Sequence, residues 1–284
     1  MLRRPPPTPL ANRVLIFATA APALLALLTL GGTAAQAQPI KVAILGADST
    51  ARLTDVQSKL VSTGFFSSVD IINANTTTPT LATLQTYRAV LVWSDNPFAD
   101  ATTLGTNLVS YVNGGGGVVQ AMFAIGGGTA QLGGQWSTLD YNAIEPVGAS
   151  TASGTDLTLG TVHEAGSPLL AGVTSFDGGT SSFRSTGALF SSAIDVADWS
   201  NGSLLVARRV IGGVNRVDLN FWPVSSDSFS GAWKSTTNGA QLMGNALKFT
   251  AGQGAAAPEP GTLALALTGA LPLMGIAVRR HRAA

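Results

Sequence analysis

Ala89-Val90-Leu91-Val92-Trp93 is an unbroken apolar run of strand length, set between Arg88 and Ser94-Asp95-Asn96. Five apolar residues without alternation predict a strand covered on both faces rather than one with a wet side. The flanking sequence repeats the pattern. Lys41-Val42-Ala43-Ile44-Leu45-Gly46 reads as a buried strand stopped by glycine, Val69-Asp70-Ile71-Ile72 as a second, and Val118-Val119-Gln120-Ala121-Met122-Phe123 as a fourth. Helical spacing fills the intervals. Leu53, Val56, Leu60 and Val61 recur on one side of a segment that Asp48, Ser49 or Thr50 can cap and Gly64 ends. Leu81 and Leu84 suggest a short helix. Ala101 to Val112 places Leu104, Leu108, Val109 and Val112 together, with Asp100 as the cap and Asn113 to Gly117 as the stop. Strand and helix alternating at this spacing predict a parallel sheet with helices on both faces, joined by right-handed crossovers.

The second half changes character. From Gly126 to about Gly187 the chain is rich in Gly, Ser and Thr, with short strand candidates such as Asp156 to Leu159. Gly202 to Ala207 and Val214 to Phe221 read as a strand pair turning at Gly212-Gly213, and Gly239 to Thr250 as a closing helix. No repeat of 20–50 residues is present, which excludes a solenoid.

Both ends look removable. Arg3, Arg4 and Arg13 precede an apolar run from Val14 to Leu30, and Ala35-Gln36-Ala37 follows as a small-residue cleavage site. That order is a secretory signal peptide, residues 1–37, served by the general secretion machinery. At the other end, Pro258-Glu259-Pro260-Gly261-Thr262 leads into an uncharged run from Leu263 to Val278 and then Arg279-Arg280-His281-Arg282. These 16 residues would span ~24 Å as a helix, somewhat under the ~30 Å hydrocarbon core. The sorting motif Pro258, Glu259, Pro260 and the basic stop Arg279, Arg280, Arg282 resemble a PEP-CTERM sorting tail. The resemblance implies export through the inner membrane, a transmembrane segment at 262–278, processing by an exosortase-type enzyme, and a cell-surface or extracellular destination (membrane-anchored if uncut). The expected organisation is then a signal peptide at 1–37, one α/β domain at 38–251, a flexible linker at 252–257, and the tail at 258–284.

Without its two ends the chain keeps 10 of its 16 Lys and Arg and 14 of its 15 Asp and Glu, so the body is mildly acidic. No basic surface remains to hold phosphate backbones, and nucleic acid is excluded as an expected partner. The chain has no cysteine, which excludes a thiol nucleophile and a thiolate metal site. With two histidines, His163 and His281, a multi-histidine metal site is excluded as well, and no cofactor or metal is expected.

The body also resembles the class I glutamine amidotransferase-like family, particularly its ThuA-like relatives. The residues that carry the likeness are Val42 to Gly46, Tyr87 to Asp95, Tyr111 to Val119, Ser167-Pro168-Leu169-Leu170-Ala171-Gly172-Val173, and Val217 to Phe221. The resemblance implies an α/β fold: a flavodoxin-like parallel sheet with helices on both faces and a strand- and loop-rich second half, flanked here by a separate N-terminal signal helix and C-terminal hydrophobic helix. It also implies a nucleophilic cysteine in the turn after the fourth strand, where this chain has Ala124-Ile125-Gly126-Gly127. Relatives of ThuA type often carry a histidine near the end of that strand, where Met122 stands, and another before the Pro-Leu-Leu-Ala-Gly-Val stretch. Ser167 holds that second place, with His163 four residues earlier.

In an open parallel sheet, ligands bind beyond the carboxyl ends of the strands. Asp48, Asp95 and Asp100 fall there, and with His163 they are the weak catalytic candidates: paired carboxylates can run acid–base chemistry on a glycan or hold a divalent cation. Each aspartate equally suits a helix cap or a turn, and His163 a solvated loop. Trp93 and Trp222 lie in apolar strand contexts and read as core. Trp136, Trp199 and Trp233 lie in polar loops and are the candidates for contact with a sugar ring. The expected function is a non-catalytic exported protein with a structural or carbohydrate-contacting role in exopolysaccharide and biofilm. The alternatives are a carboxylate- or metal-dependent hydrolase acting on glycans and a membrane-tethered receptor domain.

Overall fold

The computed structural model describes residues 40–126, 128–147 and 156–252. In chain order the strands are β1 (Lys41–Ala47), β2 (Ser68–Asn73), β3 (Ala89–Ser94), β4 (Gly117–Ala121), β5 (Leu159–Val162), β6 (Ala193–Trp199), β7 (Leu204–Ile211) and β8 (Val214–Leu219). The helices are α1 (Thr50–Ser62), α2 (Leu81–Leu84), α3 (Ala101–Asn113), α4 (Gly134–Thr138) and α5 (Gly239–Ala251). All strands join one sheet in the order β2-β1-β3-β4-β8-β7-β6-β5.

The sheet is mixed, which corrects the expectation of a parallel one. β2, β1, β3, β4 and β8 run parallel, and β7, β6 and β5 extend them antiparallel. The reversal is made by Gly212 and Gly213, both at positive φ (58° and 83°). Two such residues form the tight turn whose twist matches paired antiparallel strands, and glycine adopts it without a Cβ clash.

Burial explains the unbroken apolar runs. Val42 and Ile44 of β1 join the core beneath α1 and α5. Ala43 and Leu45, between them, join the core on the opposite face with Leu104, Leu108 and Val112 of α3. Successive strand side chains point to opposite faces, so a strand covered twice must be apolar throughout. Met122 and Phe123, expected in the fourth strand, lie just beyond β4. Their N–H groups leave the ladder for Phe221 O and Ser94 O, each at 3.2 Å.

A buried ion pair fastens the loop-rich segment to the sheet. The Arg216 guanidinium on β8 donates to Asp218 Oδ1 at 3.1 Å, to Tyr141 O at 3.0 Å and to Val118 O at 2.5 Å. It also stacks 4.1 Å from the Trp136 ring centre. Asp218 Oδ2 accepts from the N–H groups of Ala143 (2.7 Å) and Ile144 (2.9 Å). Complete hydrogen bonding is what lets such a pair stay inside a core.

The expectations for the two ends do not carry over. Among the described residues, no helix is long and apolar enough to cross a membrane. The longest, α1, α3 and α5, have 13 residues each, or ~20 Å of rise against the ~30 Å needed. The signal helix at 1–37, linker residues 253–257, sorting motif Pro258, Glu259, Pro260, span 262–278 and stop Arg279, Arg280, Arg282 lie outside the described residues. The membrane-anchored state and the C-terminal hydrophobic helix are therefore withdrawn from the description of the fold.

Candidate metal centre

β6, which the periodicity of the sequence did not reveal, carries the site. Along its pairing with β7, Asp195 stands opposite Ala207, Ala197 opposite Val206, and Asp198 opposite Leu204, with the register slipping on both sides of Ala197. In a regular strand, residues three apart point to opposite faces. The irregularity offsets that alternation, as a bulge does. Asp195 and Asp198 thereby share one side, while Val196 and Trp199 share the core on the other.

His163 meets them from the residue after β5. Its N–H donates to Val196 O at 3.0 Å, and the next N–H, of Glu164, donates to the same carbonyl at 3.2 Å. Glu164 is held in turn by Arg208 of β7, whose Nε reaches both carboxylate oxygens at 3.1 and 2.8 Å. The loop bearing His163 is thus pinned to both β6 and β7.

His163 Nε2 lies 2.7 Å from Asp198 Oδ2 and 3.3 Å from Asp195 Oδ2. One ligand atom from each of the three residues falls within 4.8 Å of the others. Ligands placed tetrahedrally around zinc stand roughly 3.4 Å apart, so a small adjustment suffices. The imidazole side chain is 42% exposed, which leaves a way in from solvent. The hydrogen bond that its N–H donates to Asp198 holds the His163 pKa above its usual value. Burial, with the Asp198 charge beside it, raises that of Asp195. The other carboxylate oxygens, Asp195 Oδ1 and Asp198 Oδ1, are buried and make no hydrogen bond. Two buried acceptors left without donors are costly in an isolated chain and are what a cation would satisfy.

The remaining candidates go elsewhere. Asp48 and Asp95 do converge at the carboxyl ends of β1 and β3, but on the Arg52 guanidinium, whose Nη1 donates to Asp48 Oδ1 at 3.2 Å and to Asp95 Oδ2. Asp48 also accepts from Ser49 N–H at 2.7 Å, yet burial outweighs these partners and raises its pKa. Asp100 caps α3, accepting from Thr103 N–H at 2.9 Å and Thr103 Oγ1 at 2.6 Å. Of the four residues singled out beforehand, only His163 belongs to the cluster. Its partners Asp195 and Asp198 were missed, because Asp-Val-Ala-Asp breaks strict alternation.

Trp136, Trp199 and Trp233 are corrected from sugar-contacting candidates to core residues, each at most 2% exposed. Trp136 Nε1 bonds to Gln120 Oε1 (2.8 Å) and Asn142 Oδ1 (3.0 Å), Trp199 Nε1 to Asn220 O (3.2 Å), and Trp233 Nε1 to Pro223 O (2.8 Å). Paired N–H groups let large indoles bury inside polar loop sequence. The partly buried rings are different ones. Phe123, Phe183 and Phe229 surround Trp222, with Phe183 and Phe229 both 5.5 Å from it in edge-on contacts. Arg52 stacks 4.6 Å from the same indole, whose Nε1 is buried without a partner.

No family model matches the chain, and no curated protein is similar to it. Recognition of the C-terminus as a PEP-CTERM, exosortase-processed tail is corrected: no helix among the described residues is long and apolar enough to cross a membrane, and the likeness found is a distant ThuA-like fold. Solved structures share the fold, two ThuA-like proteins among them. A ThuA-like protein of Bacteroides uniformis matches at 14% identity over 78% of this chain and 95% of its own, with a TM-score of 0.55. A ThuA-like protein of Parabacteroides merdae matches at 13% identity over 75% and 90%, with a TM-score of 0.50. The description as class I glutamine amidotransferase-like is corrected accordingly. With no cysteine in the chain, a cysteine-nucleophile mechanism is ruled out. What these comparisons establish is the architecture alone: a distant, ThuA-like α/β fold.

Proposed function

We propose that this protein is a divalent-cation-dependent hydrolase acting on glycans, with His163, Asp195 and Asp198 as the cation's ligands. The observation that carries the reading is the pair of buried, unbonded carboxylate oxygens beside an accessible imidazole. One nitrogen and two carboxylate ligands suit zinc or manganese, and three protein ligands leave a position for water. A cation held there would supply Lewis acidity and a bound water of lowered pKa. The chain's own contribution is placement. The His163 loop is fixed by Val196 O and by the Glu164–Arg208 pair, so the three ligands meet without further folding. The partly buried rings of Phe123, Phe183 and Phe229 support the glycan, since aromatic side chains pack against sugar rings.

Isothermal titration of the metal-stripped protein with Mn²⁺, Zn²⁺ and Ca²⁺ tests the centre. One equivalent of Mn²⁺ or Zn²⁺ should bind, and Asp195→Asn with Asp198→Asn should weaken it at least about 100-fold, or ~2.7 kcal/mol. Absence of binding by all three ions would sink the reading. The catalytic part requires that hydrolysis of a glycan panel be lost with chelator and restored by the same ion.

A further inference from the structure

Beyond the cation centre, the turn between β6 and β7 (Asn201, Gly202, Ser203) and the segment Arg184–Leu189 line an open cavity of about 380 Å³. Leu204 lines it, and Leu204 is the register partner of Asp198, so the cavity adjoins a proposed cation ligand across one strand pair. It also lies beyond the carboxyl end of β8, because Asn220 Nδ2 bonds both Ser185 O (3.0 Å) and Leu204 O (2.8 Å).

Arg184 is the cation on its wall, and its bonding is unlike that of the other described arginines. Arg52, Arg208 and Arg216 each pair with a carboxylate. Arg88 reaches Ala251 O at 3.2 Å, and Arg209 reaches Ser192 Oγ and the carbonyls of Asp140 and Asn142. Arg184 makes one long bond, 3.4 Å from Nη1 to Ser182 O, while its Nε is buried with no acceptor. No salt bridge among the described residues includes it. Every Asp and Glu of the chain except Glu259 is among the described residues, so the protein has scarcely any acid left to offer it. With one long bond and no carboxylate partner, this partly desolvated guanidinium fits a planar anion at its Nη edge, and a carboxylate matches its fork. Phe183, the preceding residue, packs edge-on to Trp222 and Phe123, so the stacking rings begin next to the same wall.

We infer that this cavity receives the acidic group of a carboxylate-bearing glycan, a uronate unit whose carboxylate pairs with Arg184. The sugar identity rests on the hydrolase reading above. The carboxylate rests on Arg184 alone.

The test is titration of the full-length protein with a uronate trisaccharide, its methyl ester, and a neutral trisaccharide of equal length, each with and without saturating Mn²⁺. The acid should bind at least about tenfold more tightly than the ester or the neutral sugar. Arg184→Gln should abolish that preference and Arg184→Lys should retain part of it, with thermal unfolding used to confirm that both variants fold. Equal binding of acid and ester, a preference surviving in Arg184→Gln, or no binding of the acid would overturn the inference. The acid-against-ester comparison needs no variant. Mn²⁺ binding measured without sugar separates the two claims. A preference for the acid without Mn²⁺ binding removes the hydrolase centre and leaves the carboxylate site standing, whereas Mn²⁺ binding without the preference removes only the carboxylate site.

Discussion

The two halves of the sheet handle polar groups in opposite ways. In the parallel half, β1, β3 and β4 are covered on both faces, and the acidic residues at their carboxyl ends are engaged: Asp48 and Asp95 by Arg52, Asp100 by its own helix. In the antiparallel half, β5 is a short edge strand and β6 is irregular, and in and around them two buried carboxylate oxygens, one guanidinium nitrogen and Ser167 Oγ lack partners, against Trp222 Nε1 alone beyond the parallel strands. Buried polar atoms are nearly always satisfied in folded proteins. A concentration of exceptions in one half marks where this fold leaves room for something from outside.

The junction between the halves should be the most sensitive point. Asp218→Ala leaves Arg216 buried without its counter-ion and frees the N–H groups of Ala143 and Ile144. A loss of about 3–5 kcal/mol is expected in urea unfolding. A loss below about 1 kcal/mol would mean that the loop segment is not fastened this way. The contrast between halves can be measured with two apolar truncations. Leu91→Ala in β3, where the side chain is fully buried, should cost about 2–5 kcal/mol. Ile194→Ala in β6, where the residue is 42% exposed, should cost about 0.5 kcal/mol or less. Similar values for both would erase the distinction.

The smallest effect concerns pH. Asp48 has its pKa raised by burial, so the folded state holds that proton more tightly than the unfolded chain. Its contribution favours the folded state in acid and declines as pH rises through the raised value. Asp227, bonded to Lys59 and to Ser235 Oγ, has its pKa lowered. Its contribution is present above the unfolded value and is lost as pH falls through the folded one. Between about pH 3 and 6, Asp48→Asn and Asp227→Asn should therefore change the slope of stability against pH in opposite directions. Solvent screening keeps the Asp227 effect slight. Slopes that change in the same direction would contradict the assignment.

Individual elements of the parallel half were readable because both-sided burial demands contiguous apolar residues, as in Ala89 to Trp93, and because caps such as Asp100 sit at fixed offsets from their helices. The glycine pair at 212–213 likewise announced its turn. The tryptophans misled for a physical reason. Trp136, Trp199 and Trp233 stand among Gly, Ser and Thr, and their polar neighbours suggested a wet surface. Paired indole N–H groups and loop backbone folded over them produced core instead. β6 was hidden by the two aspartates that give it a role, since a bulge erases the alternation by which strands are recognised.

The sequence alone determined that no thiol chemistry operates here, that an apolar α/β core forms between residues 40 and 121, and that the Gly212-Gly213 turn joins two strands. Those properties depend on residue type and short-range spacing. Only the tertiary structure decided that His163 stands with Asp195 and Asp198, more than 30 positions away, and that Arg184 faces a cavity with no acid beside it. Charge and hydrogen-bond balance are properties of neighbours in space. No window along the chain contains them until the antiparallel strands have paired.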